Sequence, residues 1–401
     1  MVKHMTFIIT TVCFLLLLLP VIGSAGVEPI KTVESTLQGN NVSGGLGNPD
    51  TANLKARIPP KVPHFILNAP FPVDQNSDNN YGLGGMDVRI PLNWIEGTAK
   101  KGVFTLGPGD YGRELEFGGQ KRFYEIHVPD SYTKKKCAPV VMVFHGGGGY
   151  PAAVRYESGM DSVSEQNGFI VVYPAGTPTN PNYTDRLLIW NDGRPFQDGS
   201  YSSVDDVGFI AALLDDLSTW FRIKPKMVYA SGFSNGAHFT YRLAKQLSNR
   251  IAAIAAVAGQ RSANEIFPPP PIPMPVMQFS GKEDIYAPYY GGSPTDRSPF
   301  FEIVFETTLK PVEEVISSWV TFNKCPSKPY EAKTIGNALI TRYRRCKYGT
   351  EVVLWTLEDG GHTWPGGNLL PTEVEAEQGN INTDISASIL MWQFFQKFRH
   401  R

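Results

Sequence analysis

The apolar run Met227-Val228-Tyr229-Ala230-Ser231 leads without a break into Gly232-Phe233-Ser234-Asn235-Gly236, and the helical stretch that opens Ala237-His238-Phe239 follows at once. Few backbones accept such a sequence. A strand that becomes a helix within five residues brings its two arms close together, so the positions flanking the serine must be small. The serine itself is held in strained dihedrals with its oxygen presented at the sheet edge. In a chain with 39 glycines the pentapeptide arises easily by chance. The weight therefore lies on the strand before it and the helix after it.

The surrounding pattern agrees. From residue 101 onward, apolar runs of strand length alternate with longer segments of helical period, which implies an α/β fold with a mostly parallel central sheet flanked by helices. Strands are expected over Arg122 to Val128, Pro139 to Phe144, Phe169 to Tyr173, Met227 to Ser231, Ile251 to Val257, Val276 to Phe279 and Val352 to Leu357. Helices are expected over Ala152 to Asn167, Asp206 to Phe221, the stretch after Gly236, and Val312 to Phe322. A last helix begins near Thr383, which can cap it, with Ile385, Ile389, Trp392 and Phe395 on its apolar face. Asp205 and Asp206 read as the start of the second helix, where a carboxylate satisfies free amides.

The N-terminal part is organised differently. Lys3 and His4 precede an apolar run from Phe7 to Ile22, and Gly23-Ser24-Ala25 offers a small-residue cleavage site, so residues 1–25 read as a secretory signal. The run is too short to span a bilayer and Pro20 interrupts it. Residues 26–100 are expected to form a flexible leader, to about 60, and then an irregular arm on the main domain, with the catalytic-type domain over 101–401. Acidic and basic residues nearly cancel, 38 against 37, which leaves no strong field for nucleic acid or anionic lipid. Export implies an oxidising compartment. Cys325 and Cys346, flanking an expected strand pair, are then expected to be bonded, while Cys137 remains a structural thiol. Asn41-Val42-Ser43 and Asn182-Tyr183-Thr184 are glycosylation sequons.

A serine hydroxyl needs a base, and the base needs an orienting acid, in the chain order serine, acid, histidine for this kind of turn. Of the seven histidines, His362 lies in a glycine-rich loop after the last expected strand, Gly360-Gly361-His362-Thr363-Trp364-Pro365-Gly366. Asp284, in Ser280-Gly281-Lys282-Glu283-Asp284, follows the strand Val276 to Phe279 and is the candidate acid, with Glu283 its neighbour and competitor. His145-Gly146-Gly147-Gly148-Gly149 follows the strand Pro139 to Phe144 and suits an oxyanion loop: Gly146 or Gly147 would give one backbone N–H, Asn235 the other. His145 would shape that loop. A phosphate cradle is the alternative for a glycine run, but neither Lys-Ser nor Lys-Thr follows it. Trp190 and Trp364 are candidates for substrate contact or for core packing.

With these residues assembled, the chain resembles the secreted polyhydroxybutyrate depolymerase and feruloyl esterase-like group of α/β-hydrolases over about residues 106–401. The resemblance is carried by Gly107-Pro108-Gly109-Asp110, the strand Arg122 to Pro129, His145 to Gly149, Val204-Asp205-Asp206-Val207-Gly208-Phe209, the serine turn, Asp284 with Pro288-Tyr289, and Gly361-His362-Thr363-Trp364-Pro365-Gly366. It implies a secreted esterase acting on a polyester or on acyl or aryl esters of plant polysaccharide, without metal or organic cofactor, and it supports the Cys325–Cys346 bond. Ser280 stands where the group often has histidine, and Pro195 and Phe196 where it often has cysteine. These departures touch the pocket and leave the catalytic groups in place. A binding protein on the same fold, gripping carbohydrate through Trp190 or Trp364, is the reading from another functional class.

Overall fold

The computed structural model describes residues 90–400 apart from 101, 179–187, 195–202, 263–267, 294–307 and 370–377. The signal-like segment, the leader and both sequons lie outside the described residues.

The strands are β1 (Asn93–Ile95), β2 (Gly109–Phe117), β3 (Gln120–Val128), β4 (Ala138–Phe144), β5 (Ile170–Pro174), β6 (Thr177–Pro178), β7 (Leu188–Ile189), β8 (Ile223–Phe233), β9 (Ala253–Val257), β10 (Val276–Gly281), β11 (Glu331–Ile335), β12 (Ala338–Tyr343) and β13 (Val352–Leu357). All but β6 and β7 join one sheet in the order β1-β2-β3-β5-β4-β8-β9-β10-β13-β12-β11. Its centre, from β5 through β4, β8, β9 and β10 to β13, is parallel throughout, and antiparallel pairs flank it on both sides. Central strands such as β4 and β13 are buried at every position, as their unbroken apolar sequences require when helices cover both faces. Among the described residues no helix is long and apolar enough to cross a membrane.

The helices are α1 (Pro151–Ser158), α2 (Met160–Asn167), α3 (Asp206–Trp220), α4 (Asn235–Gln246), α5 (Val312–Phe322) and α6 (Ala387–Phe395). Alternation along β4 sends Val140, Met142 and Phe144 into a core with the inner faces of α3, α4 and α5. It sends Val141 and Val143 into a second core with Val154, Met160, Met391, Trp392 and Phe395 of α1, α2 and α6.

Several expectations are corrected. The single helix read over Ala152 to Asn167 is two, because Gly159 adopts φ 56° and closes α1 with its own N–H on the Arg155 carbonyl. The last helix is capped by Ser386, whose hydroxyl accepts from the Ile389 N–H, and not by Thr383. The sheet begins before residue 101, since β1 pairs in parallel with β2. Asp205 does cap α3, accepting from the Gly208 N–H at 2.8 Å. Asp206 is fully buried instead, paired with Arg122 at 2.7 Å and accepting the Asn191 N–H at 2.7 Å.

The Cys325–Cys346 bond is present, at a sequence separation of 21, and encloses the β11–β12 hairpin; such a loop contributes about 3 kcal/mol by restricting the unfolded chain. Cys137 is free and half-buried.

Where β2 and β3 meet α1, Arg155 is buried among carboxylates, bonded to Asp110 and to Asp161 (2.6 Å), with Glu125 at 3.5 Å. Burial pushes the Glu125 carboxyl up to about 7, and the nearby Arg155 charge offsets only part of that. A carboxyl raised on folding favours the fold below its unfolded value near 4.5, and that contribution is lost as pH rises through about 7. Glu125→Gln, which fixes the neutral state, is therefore expected to melt with the wild type at pH 5 and above it at pH 9. Equal melting at both values would contradict this.

Candidate active site

Four chain segments leave the sheet at the carboxyl ends of β4, β8, β10 and β13, parallel strands in one contiguous block, so they emerge at the same edge. They are the glycine loop read from the sequence as an oxyanion loop, the serine turn, and the loops of the candidate acid and the candidate histidine, called below the oxyanion, acid and histidine loops.

At the end of β8, Ser234 has φ 53° and ψ −119°, a conformation that costs a residue with a side chain about 1–3 kcal/mol. Its amide donates to Val257 O at 2.9 Å and its carbonyl accepts from Ala237 (2.9 Å) and His238 (3.1 Å), so strand β9 and helix α4 hold it. The glycine requirement on both sides is steric. A Cβ on Gly232 would lie 2.3 Å from the Gly236 carbonyl oxygen, and one on Gly236 would lie 2.4 Å from Phe144 O and 2.5 Å from His145 O.

The acid loop and the histidine loop touch directly. His362 Nδ1 lies 2.9 and 3.0 Å from the two Asp284 oxygens, and both residues are 4% exposed. Asp284 Oδ1 also accepts the amides of Tyr286 (2.9 Å) and Ala287 (2.7 Å), which fixes the carboxylate as an acceptor facing the imidazole. Glu283, the competing acid, is exposed, and its backbone N–H donates to Gly360 O of the histidine loop at 3.0 Å. The imidazole packs against Phe233, the residue before the serine, with ring centroids 4.9 Å apart, and against Tyr286 at 5.0 Å. No hydrogen bond joins Ser234 to His362 among the described residues; catalytic contacts of this kind often tighten only around substrate.

The oxyanion loop runs close to the serine turn: a Cβ on Gly146 would lie 3.3 Å from Ser234 Cβ, and one on Gly147 would lie 3.5 Å from Asn235 Cβ. His145 shapes it from below. Burial drives its pKa down to about 4, so the ring is neutral; Nδ1 meets Gly146 O at 2.7 Å and Nε2 accepts the Gly176 N–H at 3.0 Å, which fixes the tautomer. His238, one turn beyond the serine, is likewise neutral, pushed down to about 3 by burial and then by Arg194.

Trp190 and Trp364 are both buried. Trp190 is fully buried, stacked on Phe239 at 4.9 Å, with its indole N–H on His145 O at 3.1 Å. Trp364 is 3% exposed and donates to Ser388 at 3.0 Å. Each finds an apolar slot with an acceptor for its one donor, which favours the interior over the surface. What the sequence reading passed over is the side chain of Asn235, which bonds the backbone of Trp190 and the carboxylate of Asp192.

No family model matches the chain. It is 29% identical over 285 residues to a putative esterase, NocK, of Nocardia uniformis, the match covering 68% of this chain and 79% of that one. It is 28% identical over 252 residues to feruloyl esterase B of Piromyces equi, covering 61% and 43%. It is 22% identical over 284 residues to a bifunctional acetylxylan esterase/xylanase of Neocallimastix patriciarum, covering 70% and 36%. The matched stretch thus spans less than half of the latter two proteins. The chain is a carboxylic ester hydrolase. The esterase carries the α/β-hydrolase arrangement that its motifs imply, with the strand block described above at its centre.

Proposed function

We propose that the esterase works through an acyl-enzyme on Ser234, with His362 as general base, Asp284 as the acid that orients it, and the N–H groups of Asn235 and Gly146 or Gly147 as oxyanion donors. One observation carries this reading: a histidine-carboxylate pair and a strained serine turn share one edge of the parallel block. The Ser234 oxygen attacks the ester carbonyl while His362 Nε2 takes its proton. The C–O bond to the alcohol then breaks and the imidazolium returns that proton to the leaving oxygen. Water repeats the sequence on the acyl-enzyme and releases the carboxylic acid. Asp284 stabilises the imidazolium at each stage, and the backbone N–H pair stabilises the tetrahedral oxyanion, about 3–4 kcal/mol per donor.

The resemblance of the motifs supports a polyester of hydroxyalkanoate units as substrate. The names of two relatives, feruloyl esterase and acetylxylan esterase, favour acyl or aryl esters of polysaccharide. The signal-like segment at residues 1–25 supports export of the enzyme.

Labelling the purified mature protein with a fluorophosphonate, with peptide mapping and a p-nitrophenyl ester assay on the same sample, tests the mechanism. Stoichiometric modification of Ser234 with parallel loss of activity is expected. Folded protein that hydrolyses the ester yet takes no label would exclude the serine mechanism. Turnover of polyhydroxybutyrate, feruloyl and acetyl-xylan esters then separates the substrate classes.

A further inference from the structure

We propose that the side chain of Asn235, acting through the segment Leu188–Asp192, is the positioning element that sets the spacing of the two oxyanion donors. The proposal rests on the serine-esterase reading above. The two donors lie on separate pieces of chain, one after β4 and one after β8, and a misplacement of about 1 Å costs about a hundredfold in rate. One segment bonds to both pieces. Toward the oxyanion loop, Leu188 O accepts from Gly148 N (2.8 Å), Leu188 N donates to Gly149 O (3.2 Å), and the Trp190 indole donates to His145 O (3.1 Å). Toward the serine turn, Trp190 N donates to Asn235 Oδ1 (2.8 Å), and Asn235 Nδ2 donates to Trp190 O (3.1 Å) and Asp192 Oδ2 (2.7 Å).

The Asn235 amide thereby uses its carbonyl and both N–H groups, and the partners fix which atom is which: an amide N–H faces the oxygen, a carbonyl and a carboxylate face the nitrogen. Only a side-chain amide offers this set, and glutamine would carry it one methylene further out. Asp192 is held as an acceptor in its turn. Burial alone would raise its pKa, but Arg194, at 2.9 Å from Nε and 2.5 Å from Nη2, outweighs burial and keeps the carboxylate below its ordinary range. The backbone N–H of Asn235 thus serves the reaction, while its side chain holds the opposite donor in register.

Asn235→Ala keeps the backbone donor and removes all three side-chain bonds. It is expected to lower kcat about tenfold to a hundredfold with KM within about threefold, and to weaken binding of an aryl trifluoromethyl ketone, which forms a tetrahedral oxyanion on Ser234, by the same factor as kcat. Trp190→Phe removes only the indole donor to His145 O and keeps a ring on Phe239; it is expected to act in the same direction by about three- to tenfold. If Asn235→Ala does not fold, Trp190→Phe decides. Folded variants with reduced kcat but wild-type affinity for the ketone, or with wild-type kcat, would overturn the proposal. Absence of fluorophosphonate labelling at Ser234 in the wild type would instead remove the underlying mechanism.

Discussion

Ser234→Ala and His362→Ala are each expected to lower kcat by about 10⁴-fold or more, and the double variant to be scarcely worse than either. In the proposed mechanism the two groups perform one step. Without the hydroxyl there is nothing for the imidazole to activate, and without the imidazole the hydroxyl keeps its proton. Asp284 Oδ1 accepts the Tyr286 and Ala287 amides, which anchor the carboxylate beside His362 Nδ1. The imidazole packs on the Phe233 and Tyr286 rings, while the loop around it is held by backbone bonds, Gly361 N to Asn380 O and His362 N to Gln378 O, that an alanine keeps. Both variants should therefore fold. Steady-state kinetics on a p-nitrophenyl ester, with melting curves of each variant, make the comparison. A folded His362→Ala protein with near-normal turnover would show that another group is the base, and additive losses in the double variant would show that the two residues act separately.

Gly236→Ala is expected to damage stability and turnover together through a single methyl group. Its Cβ would sit 2.4 Å from Phe144 O and 2.5 Å from His145 O. Both atoms are backbone, so no rotamer change relieves the contact; either α4 withdraws from β4 or the oxyanion loop is displaced. An overpacked core site of this kind costs about 1–3 kcal/mol, and displacement of a donor by an ångström costs about a hundredfold in rate. Gly147→Ala is the stability control, because its Cβ would meet only the Asn235 side chain, at an ordinary 3.5 Å. The control is expected to melt near the wild type while Gly236→Ala melts well below it. A Gly236→Ala protein with wild-type melting and turnover would mean that the strand-to-helix turn is looser than these contacts require.

The parts of the fold legible in the sequence were those where one physical demand dominates. The central parallel strands are buried on both faces over most of their length, so β4, β13 and the second half of β8, from Met227, stand out as largely apolar runs. The serine turn was legible because steric crowding admits glycine alone at Gly232 and Gly236. Strand β2 was not, because its sequence, Gly109 to Phe117, carries Asp110, Arg113, Glu114 and Glu116. Arg113 is buried all the same, its charge met by Asp216 at 2.9 Å from a helix a hundred residues further along. A pairing of that range leaves no local trace. The tryptophans show the same limit in the site: an aromatic ring beside a catalytic-type loop reads alike whether it faces substrate or the interior, and only packing against Phe239 and Ser388 turns Trp190 and Trp364 inward. The place of Asn235 after the serine marks it as a candidate backbone donor. Its side-chain role depends on Trp190 and Asp192, more than forty residues upstream.

The strand order also bears on when activity arises as the chain folds. The β4–β8 pair joins Val140 to Val228, and the β10–β13 pair joins Val276 to Val352, so the oxyanion loop meets the serine turn, and the acid meets the histidine, only after long stretches of intervening chain have been gathered in. Closing such distances is the slow part of folding. An intermediate holding any one crossover has at most part of the centre, and ester cleavage in a refolding experiment therefore rises with completion of the block from β4 to β13, later than the first helical signal. Turnover in this protein is an assay of the finished sheet.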